Sequence, residues 1–149
     1  MTSFAAWTDG SGSTADRHGA IGVVVVCDDV VVCEASEHIG LGSNNIVEVR
    51  AIGRALALVH AITRDRATPL TIHSDSAFAL GAVAPGSTWR LRANPALTVL
   101  ALAVRAEAAR WPALVLRHVR GHTGVVGNER ADWLAGRARL AAESKGATS

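Results

Sequence analysis

Along this chain the spacing of apolar and polar residues changes period several times, and each change marks an element. Phe4 to Asp9 is a short apolar run that breaks into the polar turn Gly10-Ser11-Gly12-Ser13-Thr14, the pattern of a buried strand. Gly19 to Cys27 and Val30 to Glu37 are valine-rich runs on either side of Asp28-Asp29, which predicts a β-hairpin. Beyond Ser43 or Asn44, either of which can cap a helix, Val49, Ile52, Leu56, Val59 and Ile62 recur at helical spacing and carry a helix to about Thr63. Glu48 falls in its first turn, on the face of Ile52.

Leu70 to Ser74, entered through Pro69, is a short strand that delivers Asp75 at its end, and Ser76 to Val83 is a short helix. Residues 84–92 read as a loop. Pro95 opens a helix that runs to Arg110, where Trp111-Pro112 stops it. Ala113 to Val119 makes a fifth strand and His122 to Gly127 a glycine-rich loop. Asn128 is a good cap for a last helix running to about Ala142, with Glu129 and Asp132 in its first turn. Residues 143–149 have little to bury and are expected to fray, leaving residues 1–142 as a single domain. Three strands, a helix, a strand, two helices, a strand and a helix predict an α/β fold, a five-stranded mixed sheet flanked by helices on both faces.

A chain of 149 residues can bury one core without staples. Although 49% of its residues are hydrophobic, no run approaches the roughly 18 apolar residues of a membrane span. The first residues do not resemble a signal peptide, so a soluble cytoplasmic protein is expected. Of the 15 basic residues only Lys145 is lysine. Arginine offers phosphates a planar fork, so a net charge of +2 permits nucleic-acid binding without establishing it. A two-residue hairpin loop would set Cys33 opposite Val24, on the other face of the ladder from Cys27. The two cysteines are then expected to stay unbridged, as small buried hydrophobes.

The chemistry sits where apolar elements meet polar turns. Asp9 ends the first strand, Asp75 the fourth, and Glu48 and Asp132 lie at helix starts. Each acid alone has an ordinary explanation, as a turn former, a cap or a residue favoured by the helix dipole. Taken together they suggest a site. If the first and fourth strands are parallel neighbours, Asp9 and Asp75 emerge at one sheet edge, where open α/β sheets bind ligands. Four carboxylates at close range would repel unless cations were present, and hard oxygen donors select Mg²⁺ or Mn²⁺ over zinc. Two such ions about 3.5–4 Å apart can clamp the attacking and leaving oxygens of an in-line phosphoryl displacement. His122, set among glycines near Asp132, adds an imidazole suited to proton transfer.

These residues resemble ribonuclease H, type 1. The resemblance is carried by Thr8-Asp9-Gly10-Ser11, Ser43-Asn44-Asn45 leading to Glu48 and Ala55-Leu56, Ser74-Asp75-Ser76, Asn94 before a helix, and His118-Val119-Arg120-Gly121-His122 through Gly127-Asn128-Glu129-Arg130-Ala131-Asp132. It runs over nearly the whole chain and implies the strand order 3-2-1-4-5. It also implies an endonuclease that cuts the RNA strand of RNA/DNA hybrids with two Mg²⁺ ions, Mn²⁺ able to substitute, leaving 5′-phosphate and 3′-hydroxyl ends.

By the resemblance Asp9 bridges both ions, Asp132 completes the site of the ion that activates water, and Glu48 and Asp75 help hold the other. His122 assists proton transfer or product release. Gly10, Ser11, Asn44 and Asn45 contact substrate, the asparagines at the minor groove where 2′-hydroxyls distinguish RNA. Ser43 and Asn94 belong to a pocket for a DNA-strand phosphate, though each also fits as a cap. A hybrid duplex is the expected partner, with no organic cofactor, no membrane and a monomeric protein. A nuclease for branched DNA or double-stranded RNA, or a non-cleaving hybrid-binding module, are the alternatives.

Departures from the family pattern touch binding more than chemistry. Leu41 stands where many relatives carry a phosphate-binding arginine, and Ala77 replaces a glutamine. The segment from Asp75 to His122 is too short for the basic protrusion of some relatives and keeps only Arg90 and Arg92 of its charge. No N-terminal hybrid-binding domain is expected. Weak, salt-sensitive binding is expected.

Overall fold

The structure, a computed structural model, describes residues 2–12, 18–40, 42–89, 94–120 and 126–147. Five strands and four helices follow in the order β1 (Phe4–Ser11), β2 (Gly19–Cys27), β3 (Val30–Gly40), α1 (Asn44–Thr63), β4 (Leu70–Ser74), α2 (Ala77–Val83), α3 (Pro95–Ala108), β5 (Leu114–His118) and α4 (Val126–Ala147). The sheet order is β3-β2-β1-β4-β5, as the resemblance implies. β1, β2 and β3 pair antiparallel, while β4 lies parallel to both β1 and β5.

Alternation along the strands sorts the core into two layers. Phe4 and Ala6 of β1, with Val23 and Val25 of β2, face α1, α2 and α3 in the main cluster, where Ile52, Leu56, Val59, Leu70, Ile72 and Leu97 are fully buried or nearly so. Val24, with Trp7 and Val26 packed alongside, faces Ala131 and Leu134 of α4 on the other side. The helical stripe read from sequence holds along α1 except at its end, where Ile62 is exposed. A second strip of α1, Val47 and Ala51, packs on Ile21.

Several boundaries differ from the sequence expectation. β1 continues to Ser11 because its antiparallel ladder with β2 runs on to Ser11↔Ala20, whereas its parallel ladder with β4 stops at Thr8↔Ser74. α1 begins at Asn44 with Ser43 as its cap, so Glu48 lies in the second turn and no acid lies in the first. α4 begins at Val126, so Asn128 is a buried residue inside the first turn instead of its cap, and Asp132 sits in the second turn. Gly127, in the first described turn of α4, is pressed against the Trp7 indole. At its other end α4 runs to Ala147, five residues past Ala142.

The Asp28-Asp29 turn has positive φ at both residues, as a tight hairpin loop requires. A register shift between Val25 and Val26 then places Cys33 opposite Val25, not Val24. This irregularity brings Cys27 and Cys33 to the same face, both against the main core, and both are free thiols. Among the described residues no helix is long and apolar enough to cross a membrane.

Candidate active site

The parallel ladder between β1 and β4 ends at Thr8 and Ser74, so Asp9 and Asp75 are the first residues beyond it. Ser76 caps α2, accepting from Ala79 N at 3.1 Å, while Ser74 Oγ accepts from Ser76 N at 3.0 Å. These bonds fix the turn that carries Asp75. The His118 ring, at the end of β5, lies with Nε2 3.1 Å from the Asp75 carbonyl oxygen and braces the same turn from the other side.

Glu48 reaches this edge from α1 because β1 presents Gly10 there. A Cβ at Gly10 would fall 2.8 Å from the Glu48 backbone nitrogen and 2.7 Å from Val47. Only glycine lets the helix come so close. Ligand oxygens of Asp9, Glu48 and Asp75 all lie within 4.8 Å of one another. Asp9 and Glu48 are each only 5% exposed.

Such crowding is electrostatically costly without a cation. Burial, together with the charges of Glu48, Asp75 and Asp132 and a hydrogen bond to Asp132, raises the Asp9 pKa from an ordinary 3.8 to about 9. Burial and the Asp75 charge raise Glu48 to about 8, against the pull of hydrogen bonds from Asp9 and the Gly10 backbone. Glu48 Oε2 is buried with no hydrogen-bond partner. An unsatisfied carboxylate oxygen within an all-oxygen donor set is what a hard divalent cation would satisfy, so the residues present fit such an ion.

Asp132 joins from the opposite layer. It is exposed, and its carboxyl lies within hydrogen-bonding reach of Asp9. α4 can approach because β2 presents Gly22 beneath it: a Cβ there would fall 2.0 Å from the Ala131 carbonyl oxygen and 2.7 Å from Ala135 N. Gly22 and His118 thus position the site without contributing a ligand. His118 belongs to a family motif but shows no positioning role in the sequence, whereas Gly22, a glycine interrupting a valine-rich strand, does signal a close backbone approach.

The other predicted residues are placed as follows. Ser11 Oγ accepts from Arg139 Nη1 at 3.4 Å. Ser43 Oγ accepts from Ile46 N at 3.4 Å, and Asn94 Oδ1 from Leu97 N at 3.1 Å, so both act as helix caps. Asn44 and Asn45 are exposed on the first turn of α1. Trp89 packs edge-on against Phe78 over the core. His122, Leu41, Arg90 and Arg92 lie outside the described residues, and no extra helix lies between α2 and α3 among those described.

A five-stranded mixed sheet of this order, with carboxylates at the mouth of its parallel pair, defines an α/β protein of RNase H-like fold. A model of the RNase H family matches residues 1–139; the chain belongs to that family, and is accordingly a nuclease and a hydrolase. A ribonuclease H from Thermosynechococcus vestitus is 30% identical over 139 residues, covering 89% of this chain and 86% of the relative. The solved structure of LC11-RNase H1, isolated from compost by a metagenomic approach, is 25% identical with a TM-score of 0.78, covering 95% of this chain and 99% of its own. The same relative in complex with an RNA/DNA hybrid gives a TM-score of 0.77 at 24% identity, covering 93% and 98% of the two chains.

Proposed function

We propose that this protein is an endonuclease that hydrolyses the RNA strand of RNA/DNA hybrids with two divalent ions, Mg²⁺ or in its place Mn²⁺, leaving 5′-phosphate and 3′-hydroxyl ends. The observation that carries the reading is the cluster of Asp9, Glu48 and Asp75, in which Asp9 and Glu48 are buried with raised pKa values and Glu48 keeps one unsatisfied oxygen. The hybrid complex of the LC11 relative supports the choice of substrate.

Asp9, Glu48, Asp75 and Asp132 are the residues that would hold the ions. Metal ions at such a site lower the pKa of bound water and neutralise charge on the leaving oxygen. The chain's own part is to bind and orient. Asp9, buried against Glu48 and Asp75, is the common member of the set, and Asp132 closes it from α4. Asn44 and Asn45, exposed beside Glu48, are available to read 2′-hydroxyls in the minor groove. Gly10 and Ser11 continue β1 past Asp9 and line the path of the strand. Ser43 and Asn94 contribute to a DNA-phosphate pocket while serving as caps, and His122 assists proton transfer or product release. Residues 1–142 act as one monomeric cytoplasmic domain.

The test is a gel assay of a hybrid, duplex RNA, duplex DNA and a DNA strand carrying a single ribonucleotide, each with Mg²⁺ and with Mn²⁺. The reading expects cleavage of the hybrid alone. Cleavage of duplex DNA or duplex RNA at a comparable rate would overturn it.

A further inference from the structure

The outward face of α4 begins one residue after Asp132 and has no role in the site described above. Trp133 is 48% exposed, and two guanidinium groups flank its indole, Arg130 at 4.4 Å and Arg137 at 5.3 Å from the ring centroid. The two arginines differ in one respect. Arg130 is tied to Glu34 by hydrogen bonds of 2.6 Å and 3.1 Å, whereas Arg137 makes no ion pair or hydrogen bond among the described residues. Arg130 thus braces the ring, while Arg137 rests on it through the ring contact alone. Glu129, one turn before Trp133, is exposed, so positive charge is concentrated at the Arg137 end.

Asp132, Trp133, Gly136, Arg137 and Leu140 line one depression of about 410 Å³. Asp132 therefore belongs both to this depression and to the carboxylate cluster. Five residues of helix put Arg137 about 7.5 Å along the axis from Asp132. That is roughly two nucleotide steps at about 3.4 Å of rise per strand. Drawn off the indole onto a phosphate, Arg137 supplies a planar fork and uncovers ring surface on which a base can stack. An apolar protein partner would leave this guanidinium desolvated and unpaired, so the charge favours a polyanion.

We propose that Trp133 and Arg137 form a strand-positioning subsite that holds the cleaved strand on one side of the scissile phosphate, Arg137 gripping a phosphate and Trp133 stacking against the adjoining nucleotide. This rests on the nuclease reading and adds a contact to it. The subsite supplies basic contact on α4, a place independent of the segment between α2 and α3. It acts on binding and leaves the chemistry to the carboxylates.

Steady-state cleavage of one hybrid by the wild type, Arg137→Ala, Arg137→Lys, Trp133→Ala and Trp133→Phe, across a series of salt concentrations, tests it. Arg137→Ala should raise KM three- to tenfold with kcat within twofold, and should flatten the salt slope by about 0.7–0.9. Arg137→Lys should restore the slope, since one phosphate charge is again neutralised. Trp133→Ala should raise KM about threefold or more with the slope unchanged, and Trp133→Phe should recover most of it. Both side chains lie outside the core, so melting temperatures should stay within a few degrees of the wild type. Unchanged KM and slope in both alanine variants of an active enzyme would overturn the proposal, as would a fall in kcat at constant KM. A wild type that leaves the hybrid intact overturns the proposed hybrid cleavage itself, a different result.

Discussion

The two halves of the candidate site are built differently. Asp9, Glu48 and Asp75 are held by β1, α1 and the end of β4; two of them are buried, and their mutual repulsion is part of the folded state. Asp132 is exposed and depends on α4 seating against the other layer over Gly22. The first half stores electrostatic cost that a cation relieves. The second is free of that burial and is only as well placed as its helix. Removing an acid should therefore change the stability of the metal-free fold in the first half and hardly affect it in the second.

The largest effect is expected from Asp9→Asn, which should lower hybrid cleavage a thousandfold or more. The same change should stabilise the metal-free fold. Asp9 has a folded pKa of about 9, raised from 3.8, so its contribution to stability is complete below about pH 3.8 and is lost as pH rises through 9. At pH 8–9 in chelator the variant should melt roughly 3–10 °C above the wild type. Added Mg²⁺ should raise the melting temperature of the wild type more than that of the variant. Asp132→Asn should cost about a hundredfold or more in cleavage but leave the chelated melting temperature nearly unchanged. Equal stabilisation by both substitutions would erase the contrast between the halves.

Gly22→Val should separate them mechanically. The new side chain meets the Ala131 carbonyl and must push α4 outward, at about 2–3 kcal/mol of stability by denaturant melts. Cleavage should fall tenfold or more, while the environment of Asp9 and Glu48 persists and the chelated protein still loses stability toward alkaline pH.

The smallest effect is a control of opposite sign at Glu107. Burial would raise its pKa, but hydrogen bonds from Arg66 (2.8 Å) and Trp111 Nε1 (3.2 Å), with the charges of Arg66 and Arg110, outweigh it and hold the group low. Its contribution is present above an unfolded pKa of about 4.3 and is lost as pH falls through the lower folded value. Glu107→Gln should cost a few tenths of a kcal/mol at neutral pH after solvent screening, less below pH 4, with cleavage untouched.

The acids were legible in the sequence because each stands where an apolar pattern breaks, and strand order followed from motifs spread over the chain. What the sequence misplaced depends on contacts between distant elements. Asn128 has the chemistry of a cap, yet it lies buried inside α4, next to Gly127 where the helix packs on the Trp7 indole. Cys33 follows a simple alternation until the register shift after Val25 turns it to the face of Cys27. The ladder between β1 and β2 carries the first strand past Asp9, because strand length is set by the partner as much as by local pattern. His118 and Trp133 look like ordinary strand and helix residues, and only the folded chain puts one beside the Asp75 carbonyl and sets the other in a depression shared with Asp132, Arg137 and Leu140.

The close seating of α4 on Gly22 also bears on how the protein can be lost from service. Local opening of one helix needs less free energy than global unfolding. An excursion that lifts α4 would withdraw Asp132 while the sheet and α1 remain native, giving a state that keeps its shape by most probes and has no complete site. Heating should then abolish cleavage before it abolishes the fold. Amide exchange in α4 would follow the loss of activity, and exchange in β1 and α1 would follow the loss of structure.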